Sequence, residues 1–460
     1  MFRPDVGRAT RREIKNLSTL ALPLILAQLA QNTLSFIDTL MAGRLGNGAL
    51  AGIALGSTVF TFVLLIFTGV ILAVSPLVAQ AHGAGRSGEA SRAVRQGLWL
   101  GLLLFMPAFV LFWNAEPLLL RLGQAPVTAA LSAAYLRAIS WGLLPAFGTT
   151  ALRGLLEGLS VTRPIMLFSL AGVGLNIFAN NALMFGRFGF PALGLVGTGY
   201  ASSFVYTMIF LMLAVYVALR FGRYRIFADL RRPDFGMLYE LVRVGTPIAF
   251  TLGFEVSMFA TTAFLMGLLG SAQLAAHQIA LQSASVTFMV PLGLAIATSI
   301  RVGQAVGRGD PDGAKRAGYV GIGGSVLFMC VSALTFWLAP RFVIGLYLNL
   351  SDAANREVVG LATGFLALAA AFQIFDGLQV SASGALRGLK DTRVPMLITL
   401  FSYWFVGIGS GTLLCFSVGL GGRGLWLGLV FGLATAAVLL VWRFYHAVQG
   451  RLRVQPAAAD

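Results

Sequence analysis

The stretch QLAQNTLSFIDT, residues 28–39, carries a carboxylate inside the first long apolar segment of the chain, residues 17–40. Residues on an α-helix are about 100° apart, so six polar side chains of this stretch fall within about one third of the circumference. These side chains are Gln28, Gln31, Asn32, Ser35, Asp38 and Thr39. An unpaired polar group in hydrocarbon costs several kcal/mol, so the stripe must face a protein interior or a water-filled cavity. Asp38 is therefore predicted to be functional, and the alternative is a buried acid satisfied structurally by a neighbouring helix.

The composition is typical of a polytopic membrane protein. Of the 460 residues, 57% are hydrophobic and 11% are charged, whereas soluble domains carry about 25% charged residues. The 55 glycines suit helices that pack closely in a membrane. Both cysteines, Cys330 and Cys415, lie in apolar segments and are predicted to be core residues rather than a disulfide or a metal site.

About twelve apolar segments follow one another, each near the length of about 20 residues that spans a bilayer as a helix. They run approximately over residues 17–40, 50–81, 93–114, 129–152, 165–186, 194–219, 238–267, 273–305, 317–340, 358–386, 395–416 and 424–447. Membrane barrels need shorter strands of alternating polarity. The sequence therefore predicts an all-α polytopic membrane protein with twelve transmembrane helices.

The basic residues lie predominantly on one side of this predicted topology. Of the 33 Lys and Arg residues, 26 lie in the two termini and the loops after even-numbered segments, and 7 lie on the opposite side. Basic loops stay in the cytoplasm, so both termini are predicted to be cytoplasmic. This distribution accounts for the net charge of +16 without a nucleic-acid partner. The same residues are expected to meet anionic membrane lipids.

The longest basic connection, RFGRYRIFADLRRPDFG at residues 220–236, divides the chain almost in half. It is predicted to be a cytoplasmic linker between an N-lobe of helices 1–6, residues 1–219, and a C-lobe of helices 7–12, residues 237–460. A shift of 224 residues aligns the halves, and the matched positions include Pro23 with Pro247, Gly43 with Gly267 and Gln80 with Gln304. Six spans is an even number, which predicts a parallel internal repeat whose halves rock around bound substrate. The alternative is a duplication without mechanical meaning.

Three carboxylates lie inside predicted helices rather than in loops: Asp38, Glu255 and Asp376. No basic residue is expected at their depth to form a structural ion pair. Burial in a low-dielectric cavity disfavours the charged form of an acid, so these groups can exchange protons near neutral pH. Two acids held together can instead bind Na⁺, a hard cation that prefers oxygen ligands. The coupling ion, Na⁺ or H⁺, stays open, and no cofactor is expected.

Further polar residues are expected to line a cavity beside Asp38. Asn176 and Asn180 are one turn apart on the fifth segment and face the same way. Hydrogen bonding between helices is an equally open explanation for these two residues. The other residues expected in this cavity are Thr198, Tyr135, Gln31, Asn32 and Ser35.

Four runs of sequence resemble a known family. They are IDTLMAGRLG at residues 37–46, FEVSMFATTAFLMGLLGSAQLAAHQIAL at 254–281, AIATSIRVGQAVGRGD at 295–310 and FDGLQVSASGALRGLKDTRVPM at 375–396. The chain is similar, over about residues 15–450, to the NorM-like branch of the multidrug and toxic compound extrusion (MATE) family. The resemblance implies two six-helix lobes and a secondary active multidrug efflux transporter of the bacterial inner membrane. Such an antiporter exchanges Na⁺ or H⁺ for amphiphilic organic cations by alternating access, and a monomer is expected.

The resemblance also implies roles for individual residues. Glu255 and Asp376 would form the cation site of the C-lobe, as metal ligands if the coupling ion is Na⁺, and Asp38 would serve the N-lobe. Gln278 matches a polar cavity position of that branch. Asp352 is the nearest match to a loop acid that the family associates with cation or substrate.

Phe372 departs from the pattern of the resembling family. Related chains often carry Tyr at this cavity position, one turn before the acid at 376. Because Phe has no hydroxyl oxygen, a Na⁺ site would lose a ligand, which favours H⁺.

Other functions fit the sequence less well. A lipid-linked sugar flippase of a related fold is the main alternative, but it would need a cationic cavity, and the predicted interior is acidic. An enzyme is not expected, because the chain has no GxxxxGK[ST] loop, no HExxH and no Cys/His cluster. The run GIGSG at 407–411 is interpreted as helix packing. A channel is disfavoured by the repeat.

Overall fold

The protein is described by a computed structural model that covers residues 4–45, 47–228, 230 and 233–454. Within these residues the secondary structure is helical, without a β-strand. Twelve helices are long and apolar enough to cross a membrane, which confirms the predicted all-α class. They are α1 (Pro4–Ala42), α2 (Asn47–Ile71, continued by Val74–Gly83), α3 (Ser87–Trp113), α4 (Pro126–Ile139, continued by Leu143–Gly158), α5 (Arg163–Leu183), α6 (Gly194–Arg220), α7 (Phe235–Leu269), α8 (Ser271–Gly307), α9 (Pro311–Leu338), α10 (Arg356–Gly388), α11 (Arg393–Ser417) and α12 (Gly422–Val454).

Local chemistry sets where several helices begin and end. Asp310 caps α9, because its carboxylate accepts a hydrogen bond from the backbone N–H of Gly313 at 2.7 Å. Pro311 follows at the first helical position, where its fixed φ suits a helix and no N–H is needed. Between α7 and α8 the chain turns at the single residue Gly270, whose φ of 125° is accessible to glycine without steric cost.

Helix α11 departs from regular α geometry. Residues Phe401–Ile408 and Leu413–Ser417 form π-helical turns on either side of a short α-helical piece. The glycine-rich run 407–411 packs on α12, where a Cβ added to Gly428 would collide with the backbone of Gly407 and Gly411. The interpretation of this run as helix packing is therefore confirmed.

The chain divides into two compact units. The first unit is Leu26–Ala249, and the second unit comprises Met1–Ile25 with Phe250–Asp460. Both divisions fall inside a helix, α1 and α7. The predicted lobes 1–219 and 237–460 rest on the sequence repeat and the linker 220–236, and they stay a prediction.

Close backbone contacts at small residues explain why the units divide within helices. In the first unit, Gly69 of α2 lies against Ala249, and Gly245 lies against Val70, so the start of α7 packs on α2. In the second unit, Gly293 of α8 lies against the backbone of Ile25 of α1. Glycine allows this approach because it has no Cβ.

The predicted linker is attached to the first unit. The indole Nε1 of Trp99 on α3 donates to the carbonyl oxygen of Leu230 at 2.7 Å. Arg92 and Asp234 form an ion pair at 3.4 Å, and the carboxylate of Asp234 also accepts from the N–H of Met237 at the start of α7. These contacts bind the second half of the linker to α3.

The substitution Gly428→Ala tests the contact between α11 and α12. We expect it to destabilise the protein by about 1–3 kcal/mol and to lower its melting temperature in detergent, because overpacking forces backbone shifts. Gly323→Ala on α9 is the control, since its Cβ would meet no atom within 4 Å. Equal melting temperatures for the two variants would contradict this account of the packing.

Candidate functional site

Asp38 lies in a cluster of neutral hydrogen-bond donors within the first unit. Its Oδ1 accepts from the Nδ2 of Asn176 at 2.9 Å and from the Nδ2 of Asn180 at 2.7 Å. Its Oδ2 accepts from the Oγ of Ser202 at 3.1 Å. The carboxylate on α1 is thus held by two amides of α5 and one hydroxyl of α6, which stabilise its charge through charge-assisted hydrogen bonds.

The two amides were expected beside Asp38, and the helical spacing explains their convergence. Asn176 and Asn180 are one turn apart, both are buried, and the Nδ2 of Asn180 also donates to the Oδ1 of Asn176 at 3.3 Å. Ser202 was missed by the sequence reasoning. It lies one turn after Thr198 on α6, so the same period applied to Thr198 would have found it.

The surroundings of Asp38 leave polar oxygens available. The Oδ1 of Asn180 and the Oγ1 of Thr198 are buried without a hydrogen-bond partner in the described part of the chain. Tyr135 is buried, and it lies near enough to Asp38 to interact electrostatically, as does Tyr206. No Lys or Arg forms an ion pair with Asp38 among the described residues, so its negative charge is shared only with neutral groups. The oxygens of Asp38, Asn180 and Thr198 can therefore coordinate an additional small cation or a water molecule.

The remaining members of the α1 stripe have different surroundings. Gln28 accepts a hydrogen bond from the Nη2 of Arg153 at 3.3 Å, and Thr39 donates to the backbone of Ser35. Gln31 and Ser35 are exposed, and Asn32 is half-buried. Their role in lining a cavity stays a prediction.

A second acidic cluster lies in the second unit. Asp376 on α10 is buried, Glu255 on α7 is half-buried, and the two are near enough to interact electrostatically. Tyr403 on α11 is fully buried and interacts electrostatically with both acids. The Oδ1 of Asp376 and the hydroxyl of Tyr403 have no hydrogen-bond partner in the part of the chain that the structure describes. The cluster therefore combines two acids with polar atoms that a small cation could satisfy.

Arg387 gives Glu255 an electrostatic neighbour that the sequence reasoning did not expect. Glu255 interacts with the charge of this arginine, which lies three turns after Asp376 on α10. An electrostatic interaction of this kind is not an ion pair, so the expectation that no basic residue forms a structural ion pair with these acids stays a prediction. The sequence offered no signal for this interaction, because the two residues lie on different helices.

Phe372 lies in an aromatic cluster of the second unit. Its ring is 2% exposed and contacts Trp426 edge-on, with ring centroids 5.7 Å apart, and Phe259 at 6.0 Å. His277 packs on the same Trp426 at 5.6 Å. Both nitrogens of His277 are buried without a partner in the described residues, so this wall also presents polar atoms to the interior.

Gln278 and Asp352 lie apart from these contacts. Gln278 on α8 is exposed, and Asp352 is exposed in the loop before α10. The carboxylate of Asp352 accepts from the backbone N–H of Ala354 at 2.9 Å, so it caps its own loop. Neither residue has a hydrogen bond to Glu255 or Asp376 within the described segments, and their assignments stay predictions.

The acids do not by themselves form a large metal centre. Within the described residues, no group of three or more His, Cys, Asp or Glu side chains could hold a metal ion. Glu255 and Asp376 would supply two oxygen-bearing groups to a cation, and its other ligands would be neutral oxygens. This donor set fits a proton or a monovalent hard cation better than a transition metal.

The hydrogen bond between Asn180 and Asp38 can be tested by a double-mutant cycle. Asn180→Ala is expected to destabilise the purified protein by about 1–3 kcal/mol, because a buried charged acceptor loses a donor. In an Asp38→Asn background the same change should cost less, as measured by thermal denaturation in detergent. Asn181→Ala is the control, since the Nδ2 of Asn181 donates to its own helix at Ile177. Strict additivity of the Asp38 and Asn180 substitutions would contradict the proposed coupling.

Comparison with known proteins identifies the family of the chain. The sequence model of the MatE family matches residues 23–182 and 247–413. The chain is 41% identical over 453 residues to a protein of Mesorhizobium japonicum named "Probable multidrug resistance protein NorM", covering 98% of this chain and 96% of the relative. It is 41% identical over 437 residues to the "Multidrug resistance protein NorM" of Burkholderia vietnamiensis, covering 94% of both chains.

Solved structures share the fold. One, titled "Outward-facing conformation of a multidrug resistance MATE family transporter of the MOP superfamily", has a TM-score of 0.86 at 20% identity and covers 96% of this chain and 97% of that one. Another, the "eukaryotic MATE transporter AtDTX14", has a TM-score of 0.84 at 23% identity and covers 97% of this chain and 100% of that one. The family match spans most of the sequence and agrees with the full-length relatives: the chain belongs to the MatE family.

Proposed function

We propose that the protein is a secondary active multidrug efflux transporter that exchanges Na⁺ or H⁺ for amphiphilic organic cations by alternating access. Its place is the bacterial inner membrane, with both termini in the cytoplasm, as the basic loops indicate. Support for drug export comes from relatives that are about 41% identical over nearly their whole length and carry the name multidrug resistance protein.

One observation of the structure carries the coupling part of the proposal. Glu255 and Asp376 lie near each other in a bundle of membrane-length helices, and Asp376 keeps a buried oxygen without a hydrogen-bond partner among the described residues. Two neighbouring carboxylates in a low-dielectric interior resist being charged together. A proton or a Na⁺ relieves this repulsion, and the positive charge of an organic substrate can relieve it too.

Competition between ion and substrate is the mechanism we propose for exchange. When the inward ion gradient fills Glu255 and Asp376 with H⁺ or Na⁺, the substrate cation loses its electrostatic partner and is released. An ion shifts a conformational equilibrium only through its different affinity for the two states. The acids must therefore bind the ion more tightly in one state than in the other. A change in the separation of Arg387 and Glu255, which interact electrostatically, can produce this difference in ion affinity.

The cluster around Asp38 would serve as a second ion or substrate site. Its carboxylate has three neutral donors, and the buried oxygens of Asn180 and Thr198 are additional acceptors for a cation. We propose that the two clusters belong to the two halves of a parallel repeat, each half carrying its own acid. Transporters built from such repeats alternate access by moving one half against the other.

The choice of coupling ion follows from the ligands that each ion needs. A Na⁺ ion requires several oxygen ligands, whereas a proton requires one basic atom. Phe372 supplies no oxygen, and its ring is fully engaged with Trp426 and Phe259. We therefore propose H⁺ as the coupling ion at Glu255 and Asp376. A lipid-linked sugar flippase is disfavoured, because the buried charges of both clusters are mainly acidic and would repel a pyrophosphate.

Ethidium efflux from proteoliposomes tests the coupling directly. A pH gradient imposed without Na⁺ is expected to accelerate efflux, and a Na⁺ gradient at constant pH is not. Glu255→Gln and Asp376→Asn should abolish the acceleration, because neither side chain can then exchange a proton. A cooperative thermal transition of the detergent-solubilised variants near the wild-type melting temperature shows that they are folded.

Glu357→Gln is the matched control for this experiment. Glu357 lies on the same helix as Asp376 but is exposed in the first turn of α10, so its loss should leave gradient-driven efflux unchanged. Wild-type efflux by Glu255→Gln under the same pH gradient would contradict the proposed site. Efflux driven by the Na⁺ gradient alone would reassign the coupling ion. If neither the pH gradient nor the Na⁺ gradient drives ethidium efflux, the proposed activity is overturned.

A further inference from the structure

Five arginines converge on one polar cavity in the second unit, away from the acidic cluster. The cavity has a volume of about 610 Å³ and lies where the first turns of α1 meet the end of α8 and the start of α9. The residues that line it are Arg8, Ala9, Arg12, Glu13, Asn16, Arg301, Arg308 and Arg316. Of the described residues, none that is apolar and larger than alanine contributes to this lining, so the cavity is suited to a hydrophilic ligand.

Among the described residues, only one of these arginines has a counter-ion. Glu13 binds Arg301 through two parallel contacts, Nε to Oε1 at 2.7 Å and Nη2 to Oε2 at 2.6 Å. This pair is largely buried and fixes the start of α1 against α8. The other four guanidinium groups, at Arg8, Arg12, Arg308 and Arg316, have no ion pair among the described residues. Within the described part of the chain, the cavity lining therefore carries four positive charges without an ion-pair partner.

The cavity lies at the adjoining ends of two membrane-length helices. Arg301 and Arg308 belong to the last turns and the end of α8, and Arg316 belongs to the second turn of α9. Both helices are long enough to span a bilayer, so their adjoining ends are expected at the head-group region. Basic pockets between membrane helices at this level are suited to anionic head groups.

The equivalent positions in the first half of the chain do not share this arrangement. A shift of 224 residues places Leu77 opposite Arg301, Ala84 opposite Arg308 and Arg92 opposite Arg316. Arg92 is itself ion-paired with Asp234 at 3.4 Å. Arg301 and Arg308 thus have no basic counterpart at the shifted positions, and the counterpart of Arg316 is ion-paired.

We propose that this arginine cavity binds a phosphate-bearing anion. Guanidinium groups present paired N–H donors that match phosphate oxygens, and several can share one phosphate. The bidentate pair with Glu13 holds Arg301 in place, so part of the cavity wall is preorganised before the anion arrives. The anion is either the head group of an anionic phospholipid or free phosphate, since both offer the same chemistry to these arginines.

Ligand-dependent thermal stability of the purified full-length protein distinguishes the two sources. Detergent micelles containing phosphatidylglycerol are compared with micelles containing phosphatidylcholine, and inorganic phosphate is compared with chloride at equal ionic strength. Stabilisation by phosphatidylglycerol alone assigns the cavity to a lipid head group. Stabilisation by inorganic phosphate beyond the chloride control assigns it to free phosphate. If neither anion stabilises the protein beyond its control, the proposal is overturned.

Arg12→Gln/Arg308→Gln tests whether the effect arises in this cavity. Both side chains are exposed, so their loss should not disturb the fold. The concentration of anion needed for half-maximal stabilisation is expected to rise about tenfold or more, because two charge-assisted contacts are removed. The control, Arg163→Gln/Arg393→Gln, removes the same charge from exposed helix starts outside the cavity and should leave that concentration unchanged.

Two further results decide the proposal. If the cavity variant binds the anion as tightly as the wild type, or if the control loses as much affinity, binding is general to the basic surface and the proposal is wrong. Should the double variant melt below the unliganded wild type, Arg12→Gln alone is measured in the same way, and an unchanged response to the anion overturns the proposal.

Discussion

The structure depends on how acidic side chains are accommodated inside helices long enough to cross a membrane. A buried carboxylate needs hydrogen-bond donors, a cation or a proton, because its charge is strongly disfavoured in an apolar interior. The protein meets this requirement in two different ways. Asp38 receives three neutral donors from two neighbouring helices. Asp376, near Glu255 and Tyr403, keeps one oxygen without a partner in the part of the chain that the structure describes, and an exchangeable cation can satisfy it.

The packing of helices in each unit makes these arrangements possible. Hydrogen bonds to Asp38 require α1, α5 and α6 to converge, and the charged cluster of the second unit requires α7, α10 and α11. Close approach of backbones at glycine residues, such as Gly245 on Val70 and Gly428 on Gly411, supplies the tight packing that brings buried polar groups together. The π-helical turns of α11 flank one of these contacts.

The sequence predicted the elements that depend on periodicity and composition. The twelve membrane-length helices follow from apolar segment length, and the meeting of Asp38 with Asn176 and Asn180 follows from a shared face one turn apart. Arg387 and Tyr403 could not be assigned to the acidic cluster, because each lies on a different helix from Glu255, and only packing brings them together. The same holds for the unit boundaries inside α1 and α7, which arise from contacts between distant glycines and their neighbours.

The central claim is that Glu255 and Asp376 exchange a cation in the interior of the second unit. Infrared difference spectroscopy of the purified protein measures this exchange directly, because a protonated carboxyl group has a C=O stretch that disappears when the proton leaves. Adding an organic cation substrate is expected to remove such a band in the wild type and to leave no corresponding change in Asp376→Asn. An unchanged carboxyl region in the wild type at saturating substrate, under acidic and neutral conditions alike, would contradict the claim.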